Sequence, residues 1–90
     1  MLVSKTVTII NKLGLHARAA TKLVQLSNSF DCDIQLKQGE QSAPANSVLA
    51  LLMLESSQGK QVEISCNGND AQTALDSIEE LIANRFDEGE

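Results

Sequence analysis

The sequence of 90 residues predicts an α+β fold, a two-layer open-faced sandwich in which helices cover one side of a mostly antiparallel sheet. A chain of this length organises one hydrophobic core, so we expect a single domain over residues 1–90. Three segments alternate apolar and polar residues, which is the pattern of strands with one face in water. Three other segments have apolar residues at helical spacing, and the predicted order is β, α, β, β, α, β, α.

The first strand and the first helix are predicted before residue 30. Residues 2–10 are rich in β-branched side chains that mostly alternate, and residues 11–14 break this pattern. From Ala17 to about Ser27 the apolar residues follow helical spacing. The first helix therefore begins directly after His16.

A hairpin and a short second helix come next. Residues 32–37 alternate, and residues 38–39 turn the chain into a short strand that ends at Pro44. This strand is predicted at a sheet edge, because proline cannot donate to an interior ladder. Ser47 is a good N-cap for the apolar run 48–54, whose residues favour a helix.

The last strand and the third helix occupy the C-terminal third. Residues 62–67 alternate and predict a strand with one wet face. Asn69 or Asp70 is predicted to cap the helix that follows, with Gln72 completing a capping box around Asn69. Residues 87–90 are predicted to form an acidic tail.

Composition and charge exclude several kinds of partner. Aromatic residues make up 2% of the chain, too few for stacking on single-stranded nucleic acid, and a net charge of −5 repels phosphate backbones and anionic membranes. We therefore expect no nucleic acid and no membrane partner, and a monomer in the cytoplasm without a signal or membrane-spanning segment. Cys32 and Cys66 match no metal spacing and are predicted as buried small hydrophobes. With a single histidine in addition, we expect neither a metal nor a cofactor.

Charge is distributed unevenly along the chain. The first 30 residues are +4 and contain no acid, and the remainder, with three basic and twelve acidic residues, is −9. The N-terminal third is thus suited to receive an anion. Its basic residues are Lys5, Lys12, Arg18 and Lys22.

His16 lies at the predicted N-cap, where Ser, Thr, Asp or Asn is the ordinary choice. The backbone N–H groups of Ala17, Arg18 and Ala19 have no intrahelical partner, and the helix dipole is positive there. A phosphoryl group on the imidazole would meet these donors, and the same field favours a neutral, nucleophilic ring. Arg18 can direct its guanidinium at the phosphoryl oxygens. The alternative is a surface loop histidine beside an ordinary solvated arginine.

The second helix offers two weaker candidates. Ser47 is predicted as a helix cap, with a regulatory phosphosite as the alternative. The run 48–54 has more apolar side chains than one face of a short helix can bury, so a small docking patch is predicted, with core packing as the alternative. The candidates for this patch are Val48, Leu49, Leu52 and Met53.

Two segments of the chain resemble a known family. The motif GLHAR at residues 14–18 and the stretch ANSVLALLML at residues 45–54 resemble the HPr phosphocarriers of the bacterial phosphotransferase system. The resemblance covers nearly the whole chain. Residues 45–54, together with the ending FDE at residues 86–88, are most similar to the nitrogen-related branch of that family.

This resemblance implies a four-stranded antiparallel sheet with three helices on one face. It also implies that His16 takes a phosphoryl group on Nδ1 from an enzyme I that draws on phosphoenolpyruvate, and passes it to an enzyme IIA, with Arg18 assisting. Ser47 matches a serine that a regulatory kinase modifies in some Gram-positive relatives. A carrier of this kind is an intermediate in a relay, so whether it is called an enzyme is a matter of definition.

One position departs from the family motif, which usually has proline where this chain has Ala19. Alanine can take the same conformation with less preorganisation, and it returns one N–H to the anion site. We expect transfer to survive; much slower phosphorylation of this protein than of its Ala19→Pro variant would contradict that.

The departure leaves a second class of function open, a regulatory docking module in which phosphorylation is a switch or is absent. In His16→Ala a carrier loses all relay, whereas a docking module keeps its partner affinity. A small-ligand sensor is less well supported, because no glycine-rich phosphate loop is present.

Overall fold

The sheet of this protein is four-stranded and antiparallel throughout, with the strands in the order β1-β4-β2-β3. The structure, a computed structural model, describes residues 1–88. The predicted fold class and the predicted order of elements are both confirmed. The elements are β1 (Leu2–Thr8), α1 (Ala17–Ser27), β2 (Cys32–Gln38), β3 (Gln41–Pro44), α2 (Val48–Met53), β4 (Gln61–Gly68), α3 (Ala71–Ala83) and a final 3₁₀ turn (Arg85–Asp87).

The strand positions follow from side-chain alternation and from proline. β4 lies between β1 and β2, and its alternate residues Val62, Ile64 and Cys66 are buried. Leu36 of β2 pairs with Ile64, so apolar side chains from neighbouring strands meet on one face. β3 is an edge strand that ends at Pro44, as the missing N–H of proline predicts.

The core is aliphatic except for one ring. Ala19, Ala20 and Leu23 of α1 are fully buried, and the two alanines leave room for a close approach of the helix. Phe86 in the final turn is the largest fully buried side chain. Burial of a side chain of this size stabilises the fold by roughly 1.5–3 kcal/mol, so the C-terminal turn is packed into the domain. None of the helices within residues 1–88 is long and apolar enough to cross a membrane.

The two predicted helix caps have different outcomes. The side chain of Ser47 accepts a hydrogen bond from the backbone N–H of Ala50 at 3.2 Å, which confirms it as the cap of α2. The capping box predicted for α3 is wrong. Asp70 lies at the N-cap, but its Oδ2 accepts from the backbone N–H of Asp31 at 2.8 Å, and Gln72 donates to Asp76. A loop distant in sequence supplies a donor that competes with the local cap.

The two cysteines are free and differ in burial. Cys66, in the central strand, is fully buried as predicted, whereas Cys32 is only half-buried. Cys32 begins β2 opposite Gly68, at the end of the sheet, where little covers it. Burial raises the pKa of the Cys66 thiol to about 11.

Candidate functional site

His16 is held at the end of a tightly anchored turn. Gly14 has φ +68°, a left-handed conformation that glycine adopts without strain. The next residue, Leu15, is buried, and its N–H donates to the carbonyl oxygen of Ser56 at 2.8 Å. His16 then has an extended backbone, φ −86° and ψ −178°, as the N-cap of α1. Its side chain makes no capping hydrogen bond, which leaves the ring available for chemistry.

The start of α1 provides backbone donors beside this ring. The N–H of Ala20 is the first to bond within the helix, to the carbonyl oxygen of His16 at 2.8 Å. The N–H groups of Ala17, Arg18 and Ala19 precede it and have no helical acceptor. The first turn contains no acidic residue. The structure therefore brings together His16 and the three donors that sequence reasoning singled out.

Glu88 occupies the other side of the imidazole. Its Oε2 is hydrogen-bonded to Nε2 of His16, and its Oε1 accepts from Nδ2 of Asn11 at 3.0 Å. The side chains of His16 and Glu88 are 23% and 9% exposed. No hydrogen bond engages Nδ1 of His16 within the described part of the chain, whereas Nε2 is bonded to Glu88.

This contact joins Glu88, which belongs to the predicted acidic tail at residues 87–90, to the site. Glu88 folds back onto the site because Phe86 is buried and draws the end of the chain with it. Residues 89 and 90 lie outside the described residues. The available sequence signal was Phe86 itself, one of two aromatic residues in the chain, since a large ring directly before the tail favours docking over solvation.

The carboxyl group of Glu88 titrates below its ordinary range. Burial acts to raise its pKa, but hydrogen bonds from Asn11 and His16 and the positive charge of His16 and Arg18 outweigh that effect and lower the pKa. Glu88 is therefore a carboxylate at neutral pH.

The basic residues near His16 have separate roles. Arg18 is exposed and makes no ion pair with any other residue between 1 and 88, so its guanidinium can reach a bound anion. Lys22, another basic residue of the N-terminal third, has its Nζ donating to the carbonyl oxygen of Phe86 at 2.9 Å and lying 3.9 Å from Asp87. Lys22 therefore holds the C-terminal turn.

Helix 2 exposes half of the predicted docking patch. Leu49 and Met53 are 70% and 68% exposed, and they share one helix face at a spacing of four residues. Val48 and Leu52 are half-buried and pack partly against the core. Leu13, three residues before His16, is also exposed. Apolar side chains are thus available to a partner both in the His16 loop and on α2.

One surface cavity, of about 170 Å³, lies away from His16. It is lined by the end of α1, β2 and the segment after β3. No cluster of three metal-ligating side chains occurs within residues 1–88. A histidine at a helix N-terminus, beside backbone donors without a helical acceptor, suits the binding of an anion such as a phosphoryl group.

Comparison with known proteins identifies the family. A family model described as the PTS HPr component phosphorylation site matches residues 3–84. The chain belongs to the HPr family of phosphocarriers, which take part in the phosphotransferase relay.

Individual relatives agree over nearly the full length. The chain is 55% identical over 84 residues to the phosphocarrier protein NPr of Shewanella violacea, covering 93% of this chain and 92% of that protein. It is 46% identical over 89 residues to NPr of Escherichia coli, covering 98% of this chain and 99% of that protein. The crystal structure of HPr from Thermoanaerobacter tengcongensis superposes with a TM-score of 0.92 at 34% identity, covering 96% of this chain and 97% of that one.

Proposed function

We propose that this protein accepts a phosphoryl group on Nδ1 of His16 from a phosphoenolpyruvate-dependent enzyme I and passes it to an enzyme IIA of the nitrogen-related branch. The observation that carries the proposal is the position of His16 at the N-cap of α1, with Nε2 engaged by Glu88. Membership of the HPr family supports the phosphoryl chemistry.

The geometry suits transfer by in-line displacement. The lone pair of Nδ1 forms a bond to phosphorus while the bond to the donor breaks, and the electron pair of that bond leaves with the donor. Such a transition state needs positioning and charge stabilisation more than further covalent chemistry. The N–H groups of residues 17–19 and the guanidinium of Arg18 supply hydrogen bonds and positive charge to the phosphoryl oxygens.

The nitrogen-related branch is supported by the relatives. The chain is 55% and 46% identical to two phosphocarriers named NPr. The apolar face of α2, with Leu49 and Met53 exposed, suits docking to successive protein partners. We place this relay in the cytoplasm, where phosphoenolpyruvate is made.

The test is an intact-mass measurement after mixing the protein with phosphoenolpyruvate and a nitrogen-branch enzyme I, in parallel with a sugar-branch enzyme I. We expect an acid-labile gain of one phosphoryl mass, faster with the nitrogen-branch enzyme and absent in His16→Ala. Ser47→Ala is the matched control that keeps the histidine and should gain the same mass. No gain with either enzyme, from folded protein, would refute the carrier and favour a docking module.

A further inference from the structure

Glu88 is held in place by a buried side chain and is not a freely moving tail residue. Asn11 is fully buried, and its Nδ2 donates both to Oε1 of Glu88 at 3.0 Å and to the carbonyl oxygen of Gly14 at 2.7 Å. The same amide therefore ties the carboxylate to the turn that carries His16. This arrangement fixes Glu88 relative to the imidazole through a chain of three side chains, from Asn11 through Glu88 to His16.

The backbone of residues 85–87, directly before Glu88, has an unfavourable conformation. Arg85, Phe86 and Asp87 have φ of +55°, +53° and +63°, in the left-handed region that is strained for non-glycine residues. Burial of the Phe86 ring and the hydrogen bond from Lys22 to its carbonyl oxygen hold the segment. Backbone of this kind persists only where the surroundings determine it, and it concentrates at functional sites.

The hydrogen bond between Glu88 and His16 decides which ring nitrogen carries the proton. A carboxylate can only accept, so the hydrogen lies on Nε2, and in the neutral imidazole the lone pair then lies on Nδ1. We infer that Glu88 is a positioning residue: its carboxylate keeps the imidazole proton on Nε2, so that Nδ1 presents its lone pair to the phosphoryl donor and the ring stays protonated while it is phosphorylated. This inference rests on the proposed function.

Retention of that proton has a chemical consequence for the relay. When Nδ1 binds phosphorus and the donor bond breaks, a ring that keeps its Nε2 proton becomes a cation, which the carboxylate of Glu88 stabilises. When the acceptor attacks, the N–P bond breaks and its electron pair returns to Nδ1, which leaves a neutral imidazole. No proton has to move in either direction. If the proton were lost to water, the leaving group would be an imidazolide anion, which departs far less readily.

The charged groups around the carboxylate of Glu88 indicate which variant can serve as a control for Glu88 substitutions. His16 and Arg18 face Glu88 from α1, and the adjacent Asp87 lies beside Lys22. Asp87 is exposed and makes no hydrogen bond or ion pair with His16 among the described residues. Asp87→Asn therefore removes the same charge from the same segment without removing the ring contact.

The experiment uses phosphoramidate, a small donor whose P–N bond breaks with release of ammonia, so it requires no partner protein. The phosphorylated ring nitrogen is identified by ³¹P and ¹⁵N NMR, and hydrolysis of the phosphoprotein is followed from neutral to alkaline pH. We expect only Nδ1 to be phosphorylated in the unmodified protein and in Asp87→Asn. In Glu88→Ala, a product on Nε2 should appear. In Glu88→Gln, the hydrolysis rate should fall at a lower pH than in the unmodified protein, because the ring loses its proton earlier.

Two results would overturn the inference. One is phosphorylation of Nε2 in the unmodified protein. The other is a pH profile of hydrolysis for Glu88→Gln that is the same as that of the unmodified protein, or the same as that of Asp87→Asn. The amide NMR spectrum of each variant verifies that it is folded. Neither result bears on whether enzyme I phosphorylates His16, so failure of this inference is distinguishable from failure of the proposed function.

Discussion

The α-carbon of Gly14 lies directly against the carbonyl oxygen of Ser56. A Cβ built on Gly14 would come within 2.5 Å of that oxygen and 2.8 Å of the α-carbon of Ser57. The same carbonyl accepts the N–H of Leu15 at 2.8 Å. The loop after α2 therefore fixes the position of the turn that precedes His16. Only glycine fits at residue 14 of this turn.

Gly14→Ala should be strongly destabilising, whereas Gly39→Ala should be mild. Both residues have positive φ, +68° and +61°, but a Cβ on Gly39 meets nothing within 4 Å. The left-handed conformation alone costs alanine roughly 1–2 kcal/mol, and Gly14→Ala adds a clash with backbone atoms. Urea unfolding measures both free energies of unfolding. Equal losses in the two variants would show that the contact with Ser56 does not constrain the turn.

Ser47→Ala should lower the free energy of unfolding by about 1 kcal/mol, because it removes the side-chain acceptor for the N–H of Ala50. Ser47→Asp should stay within about 0.5 kcal/mol of the unmodified protein, since aspartate caps a helix as well as serine does. Chemical denaturation of the three proteins checks this. If Ser47→Asp were as unstable as Ser47→Ala, the cap would not be the cause.

Leu49→Gln should slow phosphoryl transfer to protein partners while changing the free energy of unfolding by less than about 0.5 kcal/mol. Leu49 is 70% exposed on the apolar face of α2, so the substitution removes little internal packing and changes a surface that we propose contacts a partner. Leu2→Gln is the control. Leu2 is 69% exposed, so its exposure matches that of Leu49. It lies at the first residue of β1, about 20 Å along the strand from Thr8, the end that leads into the His16 loop. The rates are measured in the enzyme I assay, and an equal slowing in both variants would count against a docking face on α2.

Cys32 should react with iodoacetamide in the native protein before Cys66. The thiolate is the reactive form, and burial, with the pKa raised to about 11, leaves Cys66 almost wholly protonated at mildly alkaline pH. Burial first, and then the charges of Asp70, Asp31 and Asp33, raise the pKa of Cys32 as well, so its labelling should be slower than that of a free thiol.

Mass spectrometry with and without urea reports which cysteine carries the label. Labelling of Cys66 should require unfolding. Comparable native rates at the two residues would contradict the burial of the central strand.

The contribution of Glu88 to stability should be present at neutral pH and lost in acid. Its pKa in the folded protein lies below the ordinary value of 4.5, so the unfolded chain takes up the proton first as the pH falls. The difference in free energy of unfolding between the unmodified protein and Glu88→Gln should therefore shrink below pH 4.5. Urea unfolding at neutral pH and in acid measures it. A difference that grows in acid would reverse the sign of this linkage.

The sequence alone was sufficient wherever a local rule applies. The alternation in β2 and β4, the start of α1 at Ala17 and the cap at Ser47 all depend on residues within a few positions of one another. His16 and the donors of Ala17, Arg18 and Ala19 could be found for the same reason, since an N-cap and its first turn are adjacent in the chain.

The remaining features were decided only by tertiary structure. Glu88 meets His16 across 72 residues, and Asp70 meets Asp31 across 39. No local propensity specifies such pairs, because they form when burial of residues such as Phe86 brings distant segments to one place. In the same way, the apolar run of α2 indicated an excess of hydrophobic surface, but only packing against the core decided that Leu49 and Met53 are the exposed ones. The sequence by itself determined the elements and the place of His16 at a helix N-cap, because both depend on residues close together in the chain, and the packed fold determined which side chain contacts its Nε2.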